Sequence, residues 1–130
     1  MMKVVLVDDE CAMIDSMCIF LSFRMKDVEF KCVYSAPDAV AYLEKEMPQI
    51  MVLDLNLKGI SGLDVVQKRA LELMPNIYTI VITGNVKENV DDECRAAGVQ
   101  KVLNKPVGLE DLKQVIVDAI KTLSDKGGAR

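Results

Sequence analysis

A single α/β domain, with a parallel sheet covered by helices on both faces, is the fold that this sequence predicts. Five apolar segments rich in β-branched residues alternate with five segments whose apolar residues recur at helical spacing. The apolar segments are continuous, which is typical of strands buried on both faces. A length of 130 residues fits one domain of this kind.

The first half of the chain contains three predicted strands and two predicted helices. The first helix has Ile14, Met17 and Leu21 on one face. The second helix begins after Ser35, which can cap it, and stops before Pro48. The predicted strands cover residues 3–7, 28–34 and 50–53, and the predicted helices cover 10–24 and 36–47.

The second half begins with a glycine-containing loop at 55–62 and continues with two further strands and three helices. Pro75 closes the third helix, and Gly98 is a natural C-cap for the fourth. The predicted strands cover 77–82 and 101–103, and the predicted helices cover 63–73, 86–97 and 109–123. We therefore expect a domain over 1–123, with 124–130 as a flexible tail or the start of a linker.

Charge and composition disfavour several classes of function. The net charge is −4, and nucleic-acid binding by this domain would need clustered Lys and Arg instead. No apolar run approaches the roughly 18 residues that a membrane span needs. Acidic residues follow the N-terminus too soon for a secretory signal. We therefore expect a cytoplasmic protein that contacts neither membrane nor nucleic acid.

Histidine is absent, which excludes Ser–His–Asp catalysis and zinc–histidine sites. Cysteine occurs at Cys11, Cys18, Cys32 and Cys94, and no pair has C-x-x-C spacing. The sequence therefore predicts four reduced cysteines in or near the core.

Polar side chains follow four of the predicted strands. Asp8 and Asp9 come after the first strand and Asp54 after the third, whereas Thr83 follows the fourth and Lys105 the fifth. Open parallel sheets place their sites beyond the carboxyl ends of the strands, so these side chains are expected to share one edge.

Carboxylates crowded at one edge repel each other, and a hard divalent cation relieves that repulsion. Oxygen ligands without His or Cys favour magnesium over zinc. An acceptor carboxylate, a metal, the hydroxyl of Thr83 and the ammonium of Lys105 together fit phosphoryl transfer to an aspartate. Each residue alone has an ordinary interpretation as a helix cap or a loop charge. Their combination at the ends of four strands is what indicates this chemistry.

At these residues the chain resembles the receiver domains of the response-regulator family of two-component signalling. The resemblance covers about residues 3–123, and the matching stretches are VVLVDDE, VLDLNLKGISGLDV, VITG, AAG and LNKP. It implies a doubly wound, flavodoxin-like sheet of strand order 2-1-3-4-5 with the site between strands one and three. It also implies a phosphorylation-activated switch, with no enzymatic activity beyond its own phosphorylation and dephosphorylation.

The resemblance assigns roles to the site residues. Asp54 would accept the phosphoryl group. Asp9 would bind magnesium directly and Asp8 mainly through water, with Asp54 and the backbone carbonyl of Asn56 as further ligands. Thr83 would swing toward the phosphoryl group.

Lys105 would pair with the phosphoryl group, and the Lys105–Pro106 peptide bond would be cis. The implied partners are a sensor histidine kinase or a phosphotransfer protein. An output domain beyond residue 124, or a separate effector, would read the fourth helix, the fifth strand and the fifth helix.

The chain departs from the family pattern at several positions. Lys58 stands where proline is common, and this change is expected to loosen the loop after the acceptor. Val102 replaces the usual Tyr or Phe, so the aromatic rotation of the family cannot occur. Gly84 replaces a frequent alanine, while Asn56 and Asn85 occupy positions that modulate dephosphorylation.

Two other functions share parts of this pattern. A small phosphatase that passes through an aspartyl-phosphate typically needs another acid–base carboxylate and a substrate-covering cap, and no insertion here is long enough for a cap. A flavin-binding or docking-only module of the same fold is the second alternative. Asp8, Asp9 and Glu10 would repel a flavin phosphate, and a degenerate receiver should lack a key residue.

Overall fold

The computed structural model describes residues 1–58, 60–84 and 90–128, without the side chains of Asn56 and of 126–128, and it confirms the predicted α/β fold. The strands of the main sheet are β1 (Met2–Val7), β2 (Val28–Val33), β3 (Ile50–Asp54), β4 (Tyr78–Thr83) and β5 (Lys101–Asn104). The helices are α1 (Cys11–Arg24), α2 (Ala36–Glu46), α3 (Lys68–Leu73), α4 (Val90–Ala96) and α5 (Leu109–Gly128).

The main sheet is parallel throughout and has the predicted strand order 2-1-3-4-5. β1 lies between β2 and β3, so the chain reverses its direction of winding there. The register pairs Val7 with Leu53 and Thr83 with Asn104. The residues that follow β1, β3, β4 and β5 therefore meet at the carboxyl edge of the sheet.

The core consists of two apolar clusters, one on each face of the sheet. Alternate residues of each strand enter opposite clusters, which explains why the strands read as continuous apolar runs. One cluster packs α2, α3 and α4 against Val5, Val7, Met51, Leu53 and Val81. The other packs α1 and α5 against Val4, Leu6, Ile50, Val52, Ile80 and Ile82.

Two predicted caps are confirmed. The Ser35 hydroxyl accepts a hydrogen bond of 3.2 Å from the Asp38 amide, which satisfies a free N–H at the start of α2. Gly98 follows α4 with a φ of 84°, in the left-handed region that favours glycine. A Cβ at this position would lie 2.9 Å from Cδ1 of Leu71, so packing as well as conformation favours glycine there.

The structure differs from the prediction at three places. The loop at 55–62 contains a short antiparallel hairpin of Asn56–Leu57 and Ile60–Ser61. A π-helical turn at Leu63–Gln67 precedes α3. α5 continues beyond the predicted end at residue 123 to Gly128, because residues 124–126 contain no proline or glycine that would stop it. Residues 85–89, which include the predicted start of the fourth helix, lie outside the described residues.

A buried polar network joins the end of the π-helical turn, β4 and the end of α4. Gln67 and Thr79 are both fully buried. The Thr79 hydroxyl donates to Oε1 of Gln67 at 2.8 Å, and Nε2 of Gln67 donates to the Ala97 carbonyl at 3.0 Å. Each of these buried polar groups thus has a partner.

The cysteine prediction is correct for three positions and wrong for one. Cys94 is buried and Cys18 and Cys32 are partly buried, but Cys11 is exposed at the start of α1. All four thiols are free.

Among the described helices, none combines the length and the apolar character that a bilayer span requires.

Candidate functional site

Three carboxylates meet at the carboxyl edge of the sheet. Asp8 and Asp54 are 7% and 5% exposed, and Asp9 is partly buried. Ligand oxygens of the three lie within 4.8 Å of one another. The strand order explains the meeting, because Asp8 follows β1 and Asp54 ends the adjacent β3. The structure thus brings together the acids that the sequence singled out.

The Asp8 carboxylate is held by the turn between β1 and α1. Its Oδ1 accepts a hydrogen bond of 3.0 Å from the Glu10 amide. The Asp8 amide in turn donates to the Val33 carbonyl at 3.1 Å, which extends the contact between β1 and β2. Hydrogen bonds within the protein therefore hold both the side chain and the backbone of Asp8.

Lys105 reaches the acidic cluster from the end of β5. Its Nζ lies 3.4 Å from Oδ1 of Asp54 and 3.9 Å from Oε1 of Glu10. The Lys105 amide donates to the Thr83 carbonyl at 2.9 Å, which fixes the backbone from which this side chain extends. The Lys105–Pro106 peptide bond is cis, as predicted. Glu10 also lies near this lysine, although it was not among the site residues that the sequence predicted.

Thr83 ends β4 and is 1% exposed. Gly84 follows it, and a Cβ there would lie 3.8 Å from Cδ of Lys105, which is ordinary van der Waals contact. Alanine would therefore fit at Gly84, and packing against Lys105 does not require a glycine there. Val102, on β5, packs partly buried against the core and has no ring that could rotate.

The hairpin after β3 closes over the backbone of Asp54. Gly62 donates its amide to the Leu55 carbonyl at 3.1 Å, and a Cβ on Gly62 would lie only 3.1 Å from the Asp54 carbonyl. Asn56 pairs with Ser61 at the base of the hairpin, so its backbone lies directly beyond the acceptor strand. Its assignment as a metal ligand stays a prediction, and Asn85 lies outside the described residues.

Lys58 has a φ of 47°, which a proline ring cannot adopt. We expect Lys58→Pro to lower the free energy of unfolding by more than about 1 kcal/mol. Lys58→Gly, the matched control, should change it by less than about 1 kcal/mol because glycine accepts this conformation. Urea unfolding of both variants measures the difference, and a Lys58→Pro variant as stable as the wild type would contradict this turn geometry.

The charges of the site suit a dication. Three carboxylates and one ammonium leave a formal charge of −2, and all the ligand atoms in the cluster are oxygens, which Mg²⁺ prefers. A cavity of about 350 Å³ opens beside the cluster, next to Asp8, Glu10 and Lys105. Asp54 does not line this cavity, but Asp8 and Lys105, its neighbours in the site, do, so open space lies beside the acidic cluster.

The sequence model of the response regulator receiver domain matches residues 4–117. The chain belongs to the response regulator receiver domain family. Receiver domains are the phosphorylation-activated modules of two-component response regulators, and this is the functional class of the chain.

Curated relatives of this receiver domain are longer proteins. It is 30% identical over 112 residues to the transcriptional regulatory protein TrcR of Mycobacterium tuberculosis, covering 85% of the chain and 42% of TrcR. It is 28% identical over 120 residues to the response regulator GacA of Pseudomonas aeruginosa, covering 89% of the chain and 54% of GacA. The receiver domain thus spans less than two thirds of the length of these relatives.

Solved structures share the fold of this receiver domain. A receiver domain protein (CheY-like) from Methanospirillum hungatei superimposes with a TM-score of 0.89 at 24% identity, covering 97% of this chain and 98% of that one. A response regulator from Burkholderia pseudomallei, solved with a phosphorylated aspartic acid, calcium and citrate, gives 0.80 at 18% identity, covering 97% and 73%.

Proposed function

We propose that this receiver domain accepts a phosphoryl group on Asp54 in a magnesium-dependent reaction. The observation that carries the proposal is the meeting of Asp8, Asp9 and Asp54 within 4.8 Å, with Lys105 at 3.4 Å from the Asp54 carboxylate. A structural relative solved with a phosphorylated aspartic acid and a calcium ion supports it.

Asp54 acts as the nucleophile. One of its oxygens attacks the phosphorus of a phosphohistidine in line, and the bond from phosphorus to the imidazole nitrogen breaks. Asp8, Asp9, Asp54 and the backbone carbonyl of Asn56 would hold Mg²⁺, which offsets the charge of the phosphoryl oxygens when bound.

Lys105 and Thr83 respond to the new charge. Lys105 already contacts the Asp54 carboxylate and would transfer that contact to a phosphoryl oxygen. Thr83 would donate its hydroxyl to the same group. These new bonds bias an equilibrium between two conformations, and water later hydrolyses the acyl phosphate.

We infer the partners and the cellular location from the family. A sensor histidine kinase or a phosphotransfer protein would supply the phosphoryl group, and the surface of α4, β5 and α5 would pass the signal to an output domain or a separate effector. We place the protein in the cytoplasm, with the domain over 1–123. The chain would act on no substrate besides its own aspartyl phosphate, and it would not bind nucleic acid itself.

The test is the uptake of a phosphoryl group from acetyl phosphate, measured by the mass of the intact protein. We expect the mass to rise by one phosphoryl group with Mg²⁺ present and to stay unchanged when EDTA removes the metal. Asp9→Asn should need far more Mg²⁺ for the same uptake, by about 10-fold or more. A wild-type protein that gains no mass, or gains it equally with EDTA, would reject the proposal.

A further inference from the structure

Cys18 of α1 and Cys32 of β2 face each other in the contact between the first helix and the edge strand. Both side chains are partly buried against the same apolar cluster. The two thiols are near enough to interact electrostatically. No short cysteine motif relates the two positions, so this pairing could not be predicted from the sequence.

The helix backbone lies close to β2 at this point. The Cys32 thiol contacts the carbonyl oxygen of Ile14 at 3.6 Å. Ile14 is one helical turn before Cys18, so the same turn carries both the carbonyl and the second thiol. A disulfide bond needs such a short separation between backbones.

Solvent reaches one member of the pair. Cys18 lines an open surface depression together with Ile19, Ser22, Phe23 and Lys26, and the Phe23 side chain is 72% exposed. An oxidant can therefore meet Cys18 without opening the core. Cys94, by contrast, is fully buried on the core-facing side of α4.

The surroundings give the two thiols different roles. Burial raises the pKa of the Cys32 thiol, and the interaction with the Cys18 sulfur raises it further. Cys32 thus keeps its proton while Cys18 reacts first.

We propose that Cys18 and Cys32 are a modification site, at which a peroxide forms a reversible disulfide bond that ties α1 to β2. The Cys18 thiolate attacks one peroxide oxygen, the O–O bond breaks, and the displaced hydroxide takes a proton to leave as water. The Cys32 sulfur then attacks the Cys18 sulfur, forming the S–S bond. The S–O bond breaks, and the hydroxyl group leaves as a second water with the Cys32 proton. Two electrons pass from the thiols to the peroxide.

The experiment uses the folded Cys11→Ser variant, because trypsin leaves Cys11 and Cys18 on one peptide, 4–24. The protein is treated with hydrogen peroxide, unfolded, alkylated and digested without reductant. We expect the monomer to lose two hydrogen atoms and two alkylatable thiols, and peptide 4–24 to be joined to peptide 32–45. Dithiothreitol should restore both thiols, and the oxidised monomer should melt at a higher temperature than the reduced one, since the cross-link restricts the unfolded chain.

Matched controls come from the other cysteines. Cys94→Ser in the same background should cross-link as before, whereas Cys18→Ser and Cys32→Ser should each abolish the joined peptides. Circular dichroism checks that the variants fold, and Cys32→Ala replaces Cys32→Ser if the hydroxyl unfolds the protein. Joined peptides that link separate molecules, or oxidation of Cys18 to higher acids without a Cys32 bond, would overturn the proposal.

Discussion

The Asp54→Asn variant is expected to gain no phosphoryl group from acetyl phosphate and Mg²⁺, even when the wild type is fully modified. An amide oxygen is a far weaker nucleophile than a carboxylate, and the change removes one ligand oxygen charge from the cluster as well. The side chain is 5% exposed and nearly the same size in both forms, so the fold should survive. The mass of the intact protein measures the uptake, and circular dichroism verifies the fold.

Asp92→Asn is the matched control, because Asp92 is an exposed acid on α4 away from the cluster. It should take up a phosphoryl group as the wild type does. If Asp54→Asn kept the uptake and the modified peptide contained Asp8 or Asp9, the assignment of the acceptor would be wrong, although the family membership would stand.

The Gln67→Leu variant is expected to lose about 2–5 kcal/mol of unfolding free energy. Leucine fills a similar volume but leaves the buried Thr79 hydroxyl and the partly buried Ala97 carbonyl without their partner. Each such group costs about 1–3 kcal/mol. Urea unfolding monitored by circular dichroism gives the value, provided that the slope with urea concentration stays unchanged.

A second substitution separates the hydrogen bonds from the packing. Thr79→Val removes the hydroxyl, so Gln67→Leu combined with Thr79→Val should be more stable than the sum of the single losses predicts. Additive losses would show that the Gln67–Thr79 hydrogen bond contributes little and that shape alone explains the buried glutamine.

The sequence was informative where the fold depends on strand ends. Parallel strands buried on both faces must be apolar, so the first polar residue after each run marks the carboxyl edge. That logic located Asp8, Asp54 and Thr83 without coordinates, because each is the first polar residue after such a run, whereas Lys105 comes one residue later, after Asn104. The strand order came from the family resemblance, since periodicity alone cannot rank strands within a sheet.

Contacts between distant segments of the chain could not be predicted from the sequence. The sequence pattern places Gln67 on the surface of an amphipathic helix, and only the position of the α4 end shows that its amide has a partner in the Ala97 carbonyl. The same holds for Glu10, whose distance to Lys105 depends on the turn after β1 and the loop after β5 together. The π-helical turn escaped prediction because it changes the hydrogen-bond spacing without changing the apolar pattern.

The bond from the Glu10 amide to Asp8 has a mechanical consequence. Through this hydrogen bond, one carboxylate oxygen of Asp8 is attached to the main chain immediately before Cys11, the first residue of α1. A partner that binds α1 and shifts its first turn would therefore move this oxygen and change the affinity of the site for a cation. The affinity for the cation would then report whether a partner is bound to the helix several residues away.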